Sequence, residues 1–161
     1  MSISPDLRFL LAHPAHFIAL GAGSGLSPKA PGTVGTLFAW LTFQGLAGFS
    51  VPVLWGALIF CALLGLWAID RAGAVLGDVD HGAIVWDEIV PFWALLACVP
   101  AELVWQGMAF VLFRLFDITK PWPASYFDQQ VKNPFGVMMD DMVAAVFAGL
   151  ALWGLQASGF L

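Results

Sequence analysis

The chain has 161 residues, 60% of them hydrophobic and 11% charged, and its formal net charge is −5. This length allows one domain, residues 1–161, with a core of its own, and is too short for two. The apolar fraction exceeds what the interior of a soluble domain can hold, so the composition predicts a membrane protein. The negative charge argues against nucleic acid as a partner, because nucleic-acid binding needs a basic face to neutralise phosphates.

The first 36 residues predict a surface helix followed by a loop. Residues 1–20 alternate loosely between apolar and polar side chains, which favours an amphipathic helix at the membrane surface with Arg8 on the wet side. Residues 21–36, GAGSGLSPKAPGTVGT, combine glycines and prolines ahead of a long apolar run. Thr33 is expected to cap the following helix, whose free N–H groups would then face the loop and could bind an anion. A plain loop between helices is the alternative.

Three apolar runs predict membrane-spanning helices. Residues 34–49 and 51–69 are joined by a turn at Ser50 to Pro52, and at 1.5 Å per residue they would reach about 24 Å and about 28 Å, the second a full hydrocarbon thickness. The last run, 142–161, is uncharged and predicts a final span. Residues 70–88 carry the first concentration of charge and predict a wet loop or an interfacial helix.

Residues 89–116 are too long for a single straight crossing. They would extend about 42 Å as one helix, and Pro100 disfavours helix at the residue before it. Two shorter helices turning at residues 100–102 are therefore predicted. With the N-terminus inside, this hairpin places every Lys and Arg on the cytoplasmic face and leaves only Glu102 outside, in agreement with the positive-inside rule. The predicted fold is an all-α, polytopic membrane bundle of short helices with its active-site loops on the cytoplasmic face.

Charged side chains gather at the ends of the apolar segments. Arg114, Asp117 and Lys120 are spaced three apart, so on a helix they would share one face, as a solvated salt-bridged edge or as half of a phosphate site. Acidic pairs at 87–88 and 140–141 stand where two further apolar helices are expected to begin. The helix dipole by itself favours carboxylates there. Three acidic clusters meeting at one membrane face would nevertheless repel one another unless a cation lay among them.

Magnesium suits such a cluster, because it prefers hard oxygen ligands, keeps several waters and bridges carboxylates to substrate phosphate. A magnesium ion held by carboxylates beside Lys and Arg at the cytoplasmic face predicts phosphoryl chemistry on a lipid. Two alternatives stay open. One is a small membrane transporter, for which short helices and acidic residues at membrane boundaries are typical, and the other is a metal-dependent phosphatidyl transferase acting on the same class of lipid.

Four ordered blocks together resemble the phosphatidylglycerophosphatase A family. They are GSGLSPKAPGTVGTL (23–37), DHGAIVWDEIV (80–90), FRLFDITKPWP (113–123) and FGVMMDDMVA (135–144). The resemblance implies an α-helical, magnesium-dependent membrane phosphatase that hydrolyses phosphatidylglycerophosphate to phosphatidylglycerol and inorganic phosphate. It also implies a bacterial inner (cytoplasmic) membrane location, a phospholipid substrate as the partner, and an active site that faces the cytoplasm. A homo-oligomer is left open.

The resemblance carries roles for individual residues. The implied catalytic residues are Asp87, Glu88, Asp117 and Asp141. The implied metal ligands are Asp87, Glu88, Asp117, Asp140 and Asp141. The expected phosphate-binding residues are Arg114 and Lys120, joined by Ser24, Ser27, Lys29 and Thr33 of the glycine-rich loop. The chain departs from the family pattern at Pro91, expected in the first turn of its helix and tolerated there, and at Asn133–Pro134, where the family commonly has two glycines.

Overall fold

The computed structural model describes residues 4–159, and within that range the chain is helical without β-strands. A single 3-10 segment, Gly21–Leu26, lies near the N-terminus. The α-helices, in chain order, are α1 (Leu7–Ala12), α2 (Pro14–Ala19), α3 (Pro31–Leu46), α4 (Val51–Leu76), α5 (Trp86–Cys98), α6 (Leu103–Thr119), α7 (Ala124–Gln130) and α8 (Pro134–Ala157). The all-α class predicted from the sequence is confirmed.

Two helices of the described chain, α4 and α8, are long and apolar enough to cross a membrane. They have 26 and 24 residues, which corresponds to about 39 Å and about 36 Å and exceeds the hydrocarbon thickness of about 30 Å. Helix α4 presents a row of exposed apolar side chains, including Ile59, Phe60 and Leu63, which suits contact with lipid. Helix α3 has only 16 residues, so the span expected over 34–49 is too short to cross alone.

The predicted hairpin between α5 and α6 is confirmed. Helix α5 ends at Cys98 and α6 begins at Leu103, with Val99 and Glu102 both in extended conformation. The cause is Pro100, whose ring excludes the helical conformation from the residue before it. Pro91 is not in the first turn, as expected from the sequence, but is the sixth residue of α5. It therefore removes the helical N–H that would bind the Asp87 carbonyl.

The N-terminal segment and helix α4 differ in extent from the sequence-based predictions. The expected surface helix over 1–20 is divided into α1 and α2 by His13, which is extended ahead of Pro14; residues 1–3 lie outside the described range, and Arg8 is exposed as expected. Helix α4 continues past residue 69 and ends only at the left-handed Gly77. The first part of the expected loop at 70–88 is therefore helical.

Helix α5 lies in the interior and brings the functional ends together. Its side chains Ile89, Val90 and Phe92 are fully buried, and the helix packs against α3, α4 and α8, while α6 packs along α8. The beginning of α5, the end of α6 and the first half of α8 consequently meet at one end of the bundle. Helix α8 starts at Pro134, so Asp140 and Asp141 are its seventh and eighth residues and not, as expected, the start of a helix at 142; residues 160–161 lie outside the described range.

Candidate active site

Arg114 joins two of the predicted acidic clusters. Its Nη1 donates to Glu88 Oε2 at 2.7 Å and forms an ion pair with Asp117 Oδ2 at 2.6 Å. Glu88 comes from the first turn of α5, whereas Arg114 and Asp117 lie one turn apart near the end of α6. All three side chains are mostly buried, so these ion pairs are less screened than surface pairs. The guanidinium is thereby fixed in position from two helices.

Helix α3 closes this arrangement from a third side. The Thr36 hydroxyl accepts from Arg114 Nη1 at 3.4 Å. Its single hydrogen can donate either to the Gly32 carbonyl oxygen, at 2.9 Å, or to Glu88 Oε2, at 3.2 Å. A Cβ at Gly32 would lie 2.0 Å from Glu88 Oε1. An alanine there would therefore displace the carboxylate where the first turn of α3 meets it. Sequence reasoning did not assign these two residues, although their spacing of four within the glycine-rich block places both on one helix face.

Lys120 belongs to a second cluster. It is the left-handed C-cap of α6, with φ of 42°. The spacing predicted that its side chain would share the face of Arg114 and Asp117. This prediction is wrong, because the chain leaves the helical path at Lys120. Its Nζ donates to Asp140 Oδ2 at 2.6 Å and pairs with Asp128 of α7. Burial lowers the pKa of the Lys120 ammonium, but the two carboxylate hydrogen bonds outweigh burial and raise it above its ordinary value.

The remaining carboxylates are buried beside these pairs. Asp87, Asp140 and Asp141 are all less than one tenth exposed, and Asp140 Oδ1 accepts from the backbone N–H of Asp141 at 2.9 Å. Asp87 Oδ1 is buried and has no hydrogen-bond partner within residues 4–159. A buried oxygen without a partner costs about 1–3 kcal/mol, and more when charged. Asp87 is thus the acceptor in this cluster with the strongest need for a proton or a cation.

The pKa values of the two carboxylates in the first turn of α5 are both raised, which favours a bound proton or cation. Burial, followed by the charges of Glu88 and Asp140, raises the pKa of Asp87 well above its ordinary value. Burial raises the pKa of Glu88 to about 7, with Arg114 opposing the shift and Asp117 adding to it. Burial is the main cause of both shifts, so the charged form of each carboxylate is disfavoured unless a proton or a cation is bound beside it.

The donor set fits a magnesium ion better than a softer metal. Oxygen atoms of buried carboxylates are the ligands available, and Asp87 Oδ1 is unpartnered in the described part of the chain. In the described range no three Asp, Glu, His or Cys side chains are already arranged to hold an ion. Magnesium usually binds through one or two carboxylates, waters and substrate phosphate, so a prearranged cage of three protein ligands is not required for it.

The glycine-rich loop is built largely from its own contacts. Ser24 Oγ donates to the Gly21 carbonyl and Ser27 Oγ to the Lys29 carbonyl, each at 2.8 Å. Lys29 is exposed. The expected cap at Thr33 is wrong, because α3 begins two residues earlier, at Pro31, with Ala30 as its N-cap and without a side-chain cap. The role of this loop in phosphate binding stays a prediction.

The structure is a helical bundle with two candidate membrane spans. At one end, mostly buried carboxylates surround an arginine and a lysine. These features define a class of helical proteins that have candidate membrane spans and a polar site suited to a charged substrate. Residues 17–156 match the family model described as Phosphatidylglycerophosphatase A. The chain belongs to the phosphatidylglycerophosphatase A family.

Two relatives of this chain are named phosphatidylglycerophosphatase A, and a third has a different name. It is 41% identical over 158 residues to the phosphatidylglycerophosphatase A of Haemophilus influenzae, covering 95% of each chain. Against the phosphatidylglycerophosphatase A of Escherichia coli K12 the identity is 38%, over 91% of this chain and 86% of the relative. A Bacteroides thetaiotaomicron protein with the provisional name phosphatidylinositol-3-phosphatase is 37% identical over 81% of this chain and 86% of its own. No solved structure matches the chain.

Proposed function

We propose that this protein hydrolyses the terminal phosphate monoester of phosphatidylglycerophosphate, releasing phosphatidylglycerol and inorganic phosphate, with magnesium as the cofactor. The two relatives named phosphatidylglycerophosphatase A support the substrate. The observation that carries the chemistry is Arg114, buried between Glu88 and Asp117 at the end of the bundle where the other acidic residues meet. We place the protein in the bacterial inner membrane with this end facing the cytoplasm.

Arg114 is equipped to bind a phosphoryl group. Its Nη1 is occupied by Glu88 and Asp117, whereas its buried Nε has no hydrogen-bond partner among residues 4–159. A guanidinium presents its donors in a planar fork that matches phosphate oxygens. The two carboxylates therefore orient the fork, and its remaining N–H donors would bind a substrate oxygen. Lys120, held by Asp128 and Asp140, would supply the second cation.

Carboxylates of α5 and α8 would hold the metal. Asp87 and Asp141 are the members we assign to direct binding, because both are buried and Asp87 Oδ1 lacks a partner in the described chain. Asp140 contributes indirectly, since its oxygens already accept from Lys120 and from the Asp141 N–H. Bound there, magnesium supplies polarisation of the phosphoryl oxygens and a lowered pKa for a coordinated water.

Phosphate release from phosphatidylglycerophosphate tests the proposal directly. The full chain is reconstituted in vesicles and assayed with a chelator, and again after magnesium is restored. We expect release to stop with the chelator and to recover with magnesium. Release that survives complete removal of divalent ions would overturn the cofactor, whereas no release under any metal condition would overturn the activity.

The Bacteroides relative supports a second substrate of the same chemical kind. Its name specifies a phosphate monoester on a phosphatidylinositol headgroup, and the cluster around Arg114 would bind a monoester dianion in either lipid. Phosphatidylinositol-3-phosphate is therefore assayed beside phosphatidylglycerophosphate at equal surface concentration. We expect phosphatidylglycerophosphate to have the higher kcat/KM, and the reverse order would reassign the substrate.

A further inference from the structure

A polar pocket lies between the N-terminal helices and the last turns of α4. Its volume is about 400 Å³, within the range of about 300–1,000 Å³ typical of small-molecule sites. The described residues that line it are Ala12, His13, His16, Arg71, Ala74 and Val75. They include a guanidinium and two imidazoles but no carboxylate, and none of them belongs to the candidate active site. The pocket therefore suits an anion, although the whole chain has a net charge of −5.

Arg71 supplies the charge of this pocket. Its side chain is exposed and forms no ion pair with any other residue of the range 4–159. Asp70 precedes it on α4 but lines a different pocket, because successive residues of a helix do not face each other. A guanidinium presents its donors in a planar fork that matches phosphate oxygens. Arg71 can therefore bind a phosphate group without first giving up a carboxylate of the described chain.

The two histidines of the pocket are oriented by backbone hydrogen bonds. His13 Nδ1 accepts from the Ala15 N–H at 3.1 Å, so the proton of the neutral ring is on Nε2, which can donate it. His16 Nδ1 donates to the Phe9 carbonyl at 2.9 Å, and its buried ring stacks on Phe9 with 4.0 Å between the centroids. His16 thereby holds α1 against α2. His13 adds an N–H donor to the guanidinium of Arg71.

The pocket lies at the depth expected for lipid headgroups. Residues 51–69 of α4 are uncharged and are about 28 Å long, close to a hydrocarbon thickness of about 30 Å. Arg71 follows directly after this segment and shares one face of α4 with Phe60, Leu63 and Trp67, which are exposed. The Trp67 ring lies 5.9 Å from the His13 ring, measured between centroids, and tryptophan is typical of the membrane–water interface. A lipid beside this face of α4 would therefore have its phosphate next to Arg71.

We propose that this pocket binds the phosphodiester headgroup of an anionic phospholipid, as a second lipid site apart from the candidate active site. Arg71 and the His13 Nε2–H would donate to the phosphate oxygens. A zwitterionic headgroup is disfavoured, because it would bring an ammonium group close to Arg71 with no carboxylate in the described lining to pair with it. A bound headgroup would also hold the N-terminal helices against α4 at the membrane surface. The site does not depend on the proposed activity.

The histidine side chains provide a direct measurement of binding. The chain has three histidines, so the full chain labelled with nitrogen-15 histidine gives few imidazole signals by NMR. The protein in micelles of an uncharged detergent is titrated separately with short-chain phosphatidylglycerol, short-chain phosphatidylcholine and inorganic phosphate. We expect phosphatidylglycerol to shift the His13 Nε2 signal to saturation, with a Kd about tenfold lower than for the other two probes, equivalent to one charged hydrogen bond.

The same titrations contain the outcomes that would overturn the proposal. Equal affinity for inorganic phosphate would reject a lipid as the source of the phosphate group, and equal affinity for phosphatidylcholine would reject the preference for an anionic headgroup. His81 lies in the turn before α5 and does not line the pocket. A response of His81 without one of His13 would mean that the lipid binds elsewhere, and no response of His13 to any probe would reject the site.

Two variants and a matched control separate a built pocket from general surface charge. Arg71→Gln should raise the Kd for phosphatidylglycerol about tenfold. Arg8→Gln is the control, since Arg8 is also exposed but does not line the pocket, and it should leave the Kd unchanged. Ala12→Trp would fill the pocket without changing any charge and should weaken binding as strongly as Arg71→Gln, while an unchanged His16 signal shows that α1 is still packed on α2. Equal effects of the two arginine substitutions, or unchanged binding by Ala12→Trp, would overturn the proposal.

Discussion

The two basic residues of the site are held in different ways. Arg114 and its partner Glu88 are 15% and 14% exposed, and both project from long helices packed in the bundle. Lys120 and its partner Asp128 are 29% and 24% exposed, and they come from a left-handed helix end and from the short helix α7. A cation fixed by buried helices favours electrostatic preorganisation, whereas a cation at a helix end can adjust to the ligand. We therefore expect Arg114 to contribute mainly to transition-state stabilisation and Lys120 mainly to substrate binding.

The largest effect is expected at Arg114. Arg114→Ala leaves Glu88 and Asp117 without their cation and should destabilise the fold by about 3–5 kcal/mol, measured by thermal unfolding in detergent. Arg114→Lys keeps the charge but loses the planar fork, so we expect a folded protein with kcat/KM reduced about 100-fold. Near wild-type turnover in Arg114→Lys would remove the distinction between the two cations.

Asp87→Asn separates the stability of the cluster from its function. The amide keeps the shape of the side chain but removes the negative charge that burial and the neighbouring carboxylates disfavour. The metal-free protein should then be more stable by about 1–3 kcal/mol. We also expect the stabilisation by magnesium to disappear and turnover to fall at least about 100-fold, since the metal would lose a ligand. Unfolding curves with and without magnesium report both changes.

The control for Asp87→Asn is Asp78→Asn. Asp78 is an exposed carboxylate in the turn before α5, where its Oδ1 accepts from the Asp80 N–H. An amide oxygen can accept the same hydrogen bond, so neither stability nor turnover should change. Lower stability of metal-free Asp87→Asn than of wild type would contradict the account of the buried cluster.

Gly32→Ala tests how closely α3 fits against the Arg114 cluster. The added Cβ would lie 2.0 Å from Glu88 Oε1, so the carboxylate must move away from Arg114 and Thr36. We expect a loss of about 1–3 kcal/mol in unfolding free energy and a decrease in kcat of about tenfold, equivalent to one weakened charged hydrogen bond.

Gly45→Ala in the same helix is the comparison for Gly32→Ala. A Cβ there meets nothing within 4 Å in the described structure. Alanine should therefore stabilise α3 by about 0.5–1 kcal/mol through its lower backbone entropy in the unfolded state and leave turnover unchanged. Equal effects of the two alanines would mean that the approach of Gly32 to Glu88 is unimportant.

The smallest effects are expected at the adjustable cation. Lys120→Gln should raise KM about tenfold with little change in kcat, as expected for loss of one charged hydrogen bond to the substrate. Asp128→Asn removes a competing carboxylate from a partly exposed pair and should alter stability by less than about 1 kcal/mol. A large fall in kcat for Lys120→Gln would place Lys120 with Arg114 in the chemistry.

Several features of the fold were predictable because their causes are local. Pro100 acts on the residue before it, so the break between α5 and α6 could be placed from the sequence. Helix α6 likewise ends at Thr119, just ahead of Pro121. The apolar runs predicted helices for the same reason. The ends of these helices were less predictable. Helix α4 continues through the charged residues Asp70 and Arg71 and ends at Leu76, because no residue before Gly77 interrupts it.

The acidic and basic residues that meet at the candidate site were also singled out from the sequence, but their pairing was not. The spacing of three between Arg114, Asp117 and Lys120 predicts one common face. The structure pairs the first two and directs Lys120 to α7 and α8, because the left-handed cap turns the chain away. Gly32 and Thr36 were missed as site residues, since their contact with Glu88 joins positions more than 50 residues apart.

The sequence by itself determined that the chain is helical and apolar and where proline divides its helices. It also determined which charged residues lie in the four blocks that resemble the family. Only the tertiary structure decided which carboxylate pairs with which cation, which oxygen of Asp87 is left without a partner in the described chain, and that His13 and Arg71 line one pocket. The physical reason is range. Helix formation and its interruption depend on neighbours along the chain, whereas ion pairing, burial and cavity shape depend on which distant segments pack together.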